Sequence, residues 1–142
     1  MYGSLDISLS GMVAQRTRLQ AISANIANKD AYLDAKGTVN PYRRRHVLMT
    51  PGDPSAKTAD GRRMGVHVAA IQIDQRAVRW QHDPSNPLAE KTGEHAGYVL
   101  VPDISLVTEQ INKLEAERAY EANLAAAEAT KSMMAQALRL IA

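Results

Sequence analysis

Apolar residues recur every seven positions near the start of the chain. Leu5, Met12, Leu19 and Ile26 lie on one line, with Leu9 and Ile22 beside it. This is the period of a helix that packs along a seam with another helix. Ser4 or Asp6 suits the start as a cap, and no proline interrupts the run. Lys29 and Asp30, then Gly37 and Pro41, break it. The spacing therefore predicts a helix over residues 4–28 that ends near Asn28, about 35–40 Å long.

A longer pattern follows Pro102. Asp103 or Ser105 suits its cap, and Glu109 is well placed for the dipole of a first turn. From Asp103 to Ala142 there is neither glycine nor proline. Ile104, Val107, Ile111 and Leu114 form the first part of a stripe. Tyr120, Leu124, Ala127, Met134, Leu138 and Ile141 continue it after a phase shift of about one residue. Such a helix would span roughly 60 Å. A globule of this length has a radius of gyration of only about 14–15 Å. The helix must project, or lie against something else.

Between the two patterns sit all six prolines. Strand-like runs fall at His46–Met49, Val66–Ile73, Val78–Trp80 and Tyr98–Val101. Turn signals stand at Pro51-Gly52-Asp53-Pro54 and Asp60-Gly61. The expected fold is mainly α with a small β subdomain. Long N- and C-terminal helices pair antiparallel in a coiled-coil-like bundle around a short β-rich middle. The division is 1–30 for the first helix, 31–102 for the β-rich middle and 103–142 for the second helix.

Composition changes this picture in one respect. The chain is 45% hydrophobic but has no Phe, one Trp and five Tyr. Aromatic side chains supply much of a globular core's buried area. A chain so poor in them buries its surface along helix seams or against neighbours. The formal charge is only +2, so the pI of 9.0 overstates the basic bias. The absence of cysteine excludes disulfides, thiolate zinc sites and cysteine nucleophiles. No run approaches the length of a membrane span. Asp6, Gln15, Arg16 and Arg18 interrupt the first thirty residues, so export would not use a conventional cleaved leader.

Candidate chemistry is sparse. Arg43-Arg44-Arg45-His46, with Arg62-Arg63 beyond, is the one basic cluster, and a small nucleic-acid- or anionic-lipid-binding module is the alternative it supports. Only Tyr42 accompanies it as an aromatic, and no groove-reading motif surrounds it. A solvated edge or a protein contact is the favoured reading. His46, His67, His82 and His95 are scattered, with no i, i+4 pair for a metal. Lys91-Thr92-Gly93 lacks the Ser-x-x-Lys partner of serine β-lactamases. No constellation for catalysis emerges.

Two segments are more specific. Ser10-Gly11-Met12-Val13-Ala14-Gln15 and Ala24-Asn25-Ile26-Ala27-Asn28 together resemble the N-terminal signature of flagellar rod, hook and related axial proteins. Pro41-Tyr42-Arg43-Arg44-Arg45 is similar to the block that follows in that family. Asp83-Pro84-Ser85-Asn86-Pro87-Leu88-Ala89 and Glu115 to Asn123 resemble its proximal-rod branch, with Lys91 to His95 as a short insertion. The resemblance implies a structural subunit of the bacterial flagellar basal-body proximal rod. Such subunits are exported by the flagellum's own apparatus and assemble in the periplasm into a helical tube that transmits torque and forms the export channel. It implies copies of itself and other rod proteins as partners, and no cofactor, small-molecule substrate or catalytic role. The expected subunit-interface residues are Leu5, Leu9, Met12, Leu19, Ile22, Ile26, Arg43, Arg45, Ile111, Leu114, Tyr120, Leu124, Met134 and Leu138.

Overall fold

The computed structural model describes every residue except 1, 53, 56–57, 60 and 142. Asp53 and Asp60 of the two turn signals therefore lie outside the described residues. Helix α1 spans Tyr2–Ala27 and helix α2 spans Leu106–Ile141. Between them come strands β1 (Arg45–Pro51), β2 (Val66–Ile73), β3 (Val78–His82) and β4 (Tyr98–Pro102), with a 3-10 turn at Gly61–Arg63. Both helices and all four strands stand where the patterning puts them.

The helices lie side by side and antiparallel. Asn25 bonds to Glu109, Arg18 pairs with Glu115, and Gly11 abuts Asn123. Stepping back along α1 in sevens thus steps forward along α2 by six to eight. Apart from Ile22, the residues on this seam are small or polar. On α1 they are Ser8, Gly11, Ala14, Ala21, Ile22 and Asn25, all buried. On α2 Glu109 and Ala116 are buried, and Asn112, Asn123 and Ala127 are half-buried.

Gly11 shows why small residues are needed. A Cβ placed there would stand 2.7–2.8 Å from the Asn123 amide, inside van der Waals contact. Gly11→Ala gains about 1 kcal/mol of intrinsic helix propensity, yet it must push Asn123 aside and open the seam. The expected result is a net loss of about 1–2 kcal/mol. Asn123→Ala in the same chain is expected to restore it. Urea midpoints of the two variants check this.

The large apolar residues of α2 do not line the seam as one stripe. Val107, Ile111 and Leu114 are 66%, 55% and 49% exposed, whereas Ala116 is fully buried. At about 100° per residue, those three lie within about 40° of the point opposite Ala116. Tyr120, Ala127 and Met134 sit on the α1 side and are half-buried. The phase shift between the two runs is therefore a change of side, larger than the one residue expected. Likewise Leu5, Met12, Leu19 and Ile26 flank the seam of α1, each half-buried.

The β-rich middle is two separate antiparallel ribbons rather than one sheet. β1 pairs with β2 across a bulge between Leu48 and Met49, and β3 pairs with β4. The first ribbon packs on α1. Ser10 is the anchor, because its Oγ accepts the Val66 N–H at 3.1 Å and donates to the Ile7 carbonyl at 2.7 Å. The second ribbon keeps its own small core of Ala77, Val99 and Val101, and the Asp103 N–H bonds the Ala77 carbonyl on the way to α2.

The exposed area is 9995 Å². A compact protein of 15.5 kDa would show about 7,200 Å². The single chain thus leaves about 2,800 Å² more surface open than a globule of its mass.

Candidate assembly surfaces

The helices are rooted at one end by a buried polar node. Asn25 is 1% exposed. Its Nδ2 donates to the Arg45 carbonyl at 3.0 Å and to Glu109 Oε2 at 3.1 Å. Its Oδ1 accepts the Arg45 N–H at 2.9 Å and the Tyr42 hydroxyl at 3.1 Å. All four bonding positions of the amide are filled. Glu109, also 1% exposed, takes the Arg44 Nε at 2.6 Å on its other oxygen. One cluster thereby ties the end of α1, the connecting loop, β1 and the start of α2 together. The helix-dipole role assigned to Glu109 from sequence misses this pairing. Gly11, Arg18 and Asn25 also repeat every seven residues, but none of the three is a large apolar residue, so hydrophobic periodicity passes over them.

Burial raises the pKa of Tyr42 above its ordinary value of 10.0, with the Arg45 charge opposing and Glu109 adding to the rise. The neutral phenol is thus the form the fold favours. Its contribution is present below pH 10 and is lost as pH rises through the elevated folded pKa. In an alkaline titration followed by phenolate absorbance, Tyr42→Phe is expected to remove a late-titrating step. Loss of a step at the ordinary value of 10.0 instead would place Tyr42 in solvent.

Arg44 turns inward to Glu109; Arg45 is exposed, whereas Arg43 is half-buried with its Nε enclosed and, among the described residues, unpaired. Arg43 bonds to Gln75, and Arg45 lies 5.4 Å from the centre of the Tyr42 ring. The remaining residues expected at interfaces divide by exposure. Leu9, Ile111, Leu114, Leu124 and Leu138 are exposed, with Leu138 at 69%. Leu5, Met12, Leu19, Ile26, Tyr120 and Met134 are half-buried. Ile22 is buried inside the chain at 5%. Among the described residues no group of His, Asp or Glu has the geometry of a metal site. No described helix is long and apolar enough to cross a membrane.

An antiparallel helix pair of close-packed small residues, carrying large apolar residues on its outer sides, defines a subunit that offers those sides to other chains. The family of flagella basal body rod proteins matches residues 5–30, the stretch that carries Gly11 and Asn25. Over nearly the whole chain there are curated relatives named flagellar basal-body rod protein FlgC. The one from Borreliella burgdorferi is 33% identical over 99% of this chain and 97% of its own length. Those from Salmonella typhimurium and Yersinia enterocolitica are each 35% identical over 95% of this chain and 93% of their own. The chain belongs to the FlgC family of flagellar basal-body rod proteins. It is a structural subunit of that rod.

Proposed function

We propose that this subunit builds the proximal rod, packing helically with copies of itself and with other rod proteins into a tube that transmits torque and encloses the export channel. The observation that carries this reading is the surplus of open surface, about 2,800 Å² beyond a globule of this mass, with apolar ridges on the outer sides of both helices. Large exposed apolar patches mark interfaces, and contacts whose rotation does not close generate helical assemblies. The subunit reaches the periplasm through the flagellar export apparatus. There α1 and α2, within the segments 1–30 and 103–142, pack with neighbours in coiled-coil fashion, around the middle of residues 31–102. Leu5, Leu9, Met12, Leu19, Ile26, Ile111, Leu114, Tyr120, Leu124, Met134 and Leu138 lie at those contacts. Ile22 supports them from within.

A tagged chain expressed in a flagellated cell should co-purify with basal bodies and be found in the proximal rod by labelling. Its absence from purified rods would overturn the reading. The alternative use of the basic cluster for phosphate is weakened because Arg44 is committed to Glu109.

Arg43 and Arg45 serve the same contacts, each worth about 0–1 kcal/mol to a carboxylate on a neighbour. Arg43→Glu with Arg45→Glu is expected to lower rod yield modestly, and added salt to act in the same direction on the unmutated chain. Unchanged yield would make the pair a solvated edge.

A further inference from the structure

Two unpartnered apolar features lie on opposite sides of the helix pair. The first is convex. Val107, Ile111 and Leu114 form a ridge on α2 pointing away from α1, and Arg118 continues the same line. The second is concave. Leu9 and Val13, 55% and 57% exposed, stand on the side of α1 pointing away from α2. Val66 and Val68 of β2 close the other wall of an open groove of about 410 Å³, with Asp6 towards one end and Thr17 towards the other.

The two features match in length and in charge. Asp6 to Thr17 and Val107 to Arg118 are each eleven positions, about 16 Å of helix. Laid antiparallel, Ile111 falls against Val13, Leu114 against Leu9, and Arg118 against Asp6. Both charged side chains are exposed, and among the described residues neither has an ion-pair partner. We propose that the α2 ridge of one copy of this chain seats in the α1–β2 groove of the next, with Arg118 against Asp6 setting the register. The inference rests on the rod reading and assigns the partner of this face to a second copy. Because ridge and groove lie on opposite sides, each added copy presents a fresh ridge, so the contact is heterologous and propagates. The surplus of open surface exceeds the about 1,600 Å² that a standard stable interface buries.

The chain contains no cysteine, so introduced thiols report contacts without background. Val13→Cys with Ile111→Cys in one chain, oxidised mildly at high concentration, is expected to give a ladder of covalent oligomers. Either substitution alone is expected to leave monomers. In the two-thiol chain, Asp6→Arg or Arg118→Asp should cut the ladder about tenfold, and the two reversals together should restore it. Circular dichroism should be unchanged throughout, since both side chains are exposed. Dimers from Ile111→Cys alone, cross-links only to other rod proteins in isolated basal bodies, or a ladder indifferent to the reversals would each overturn the proposal. In a strain lacking its own FlgC, incorporation into rods without ladders would sink the docking and spare the rod reading. Ladders without incorporation would do the reverse.

Discussion

Arg44→Ala is expected to cost the folded chain about 3–5 kcal/mol, because it leaves the Glu109 carboxylate buried without its counter-charge. Glu109 is 1% exposed, and the Arg44 side chain covers it from the solvent side while remaining 25% exposed itself. With the guanidinium gone, the Asn25 amide is the hydrogen-bond donor left to that carboxylate, and an amide does not balance a full charge. The damage should reach both helices, since the node holds the end of α1 against the start of α2. Urea unfolding followed by helical circular dichroism is the measurement. A midpoint shift worth under about 1 kcal/mol would mean that the carboxylate is hydrated. Glu109→Leu combined with Arg44→Met removes both charges, and is expected to cost less than Arg44→Ala alone. That ordering separates the penalty of an orphaned charge from the worth of the pair.

Gly65→Ala is expected to cost about 2–5 kcal/mol. Gly65 has φ of +80°, where a Cβ costs roughly 1–2 kcal/mol. The new methyl would also stand 2.6 Å from Ser10 Oγ, the atom that accepts the Val66 N–H and fastens the first ribbon to α1. Losing that bond while keeping its donor shielded adds about 1–3 kcal/mol. Gly37 offers the control: its φ is +77°, but nothing lies within 4 Å of a Cβ there. Gly37→Ala should show the backbone cost alone. Thermal unfolding of the two variants side by side measures the difference, and equal losses would mean that Ser10 does not anchor the ribbon. Ser10→Ala in the Gly65→Ala chain should recover part of the deficit by relieving the clash.

These two expectations involve residues that the resemblance brings forward without explaining. In the Ser10-Gly11 pair the serine fastens the β1–β2 ribbon and the glycine admits α2, so adjacent residues serve two different neighbours. Asn25 fills its four bonds from the loop, β1 and α2. The periodic leucine line was legible as a helix signal. Its neighbours on the seam were not, because hydrophobic periodicity weighs Leu and Met heavily and gives glycine, alanine and asparagine no weight.

The sequence by itself determined the two helices, where the first stops, the four strands and the family to which they point. Each of these rests on local information: a repeat of seven, a run of alternating β-branched residues, a proline or glycine that stops an element. What only the tertiary structure decided is which side of each helix faces inward. Val107, Ile111 and Leu114 share a side by periodicity, but periodicity says only that they lie together, not what covers them. Close approach at Gly11 draws the helices together on small residues and turns the large ones outward, where a neighbour can reach them. The division of the middle into two ribbons, and the pairing of Arg44 with Glu109 across 65 positions, were equally out of reach. A buried charge survives only where the fold brings a distant partner to it, and no local pattern encodes that distance.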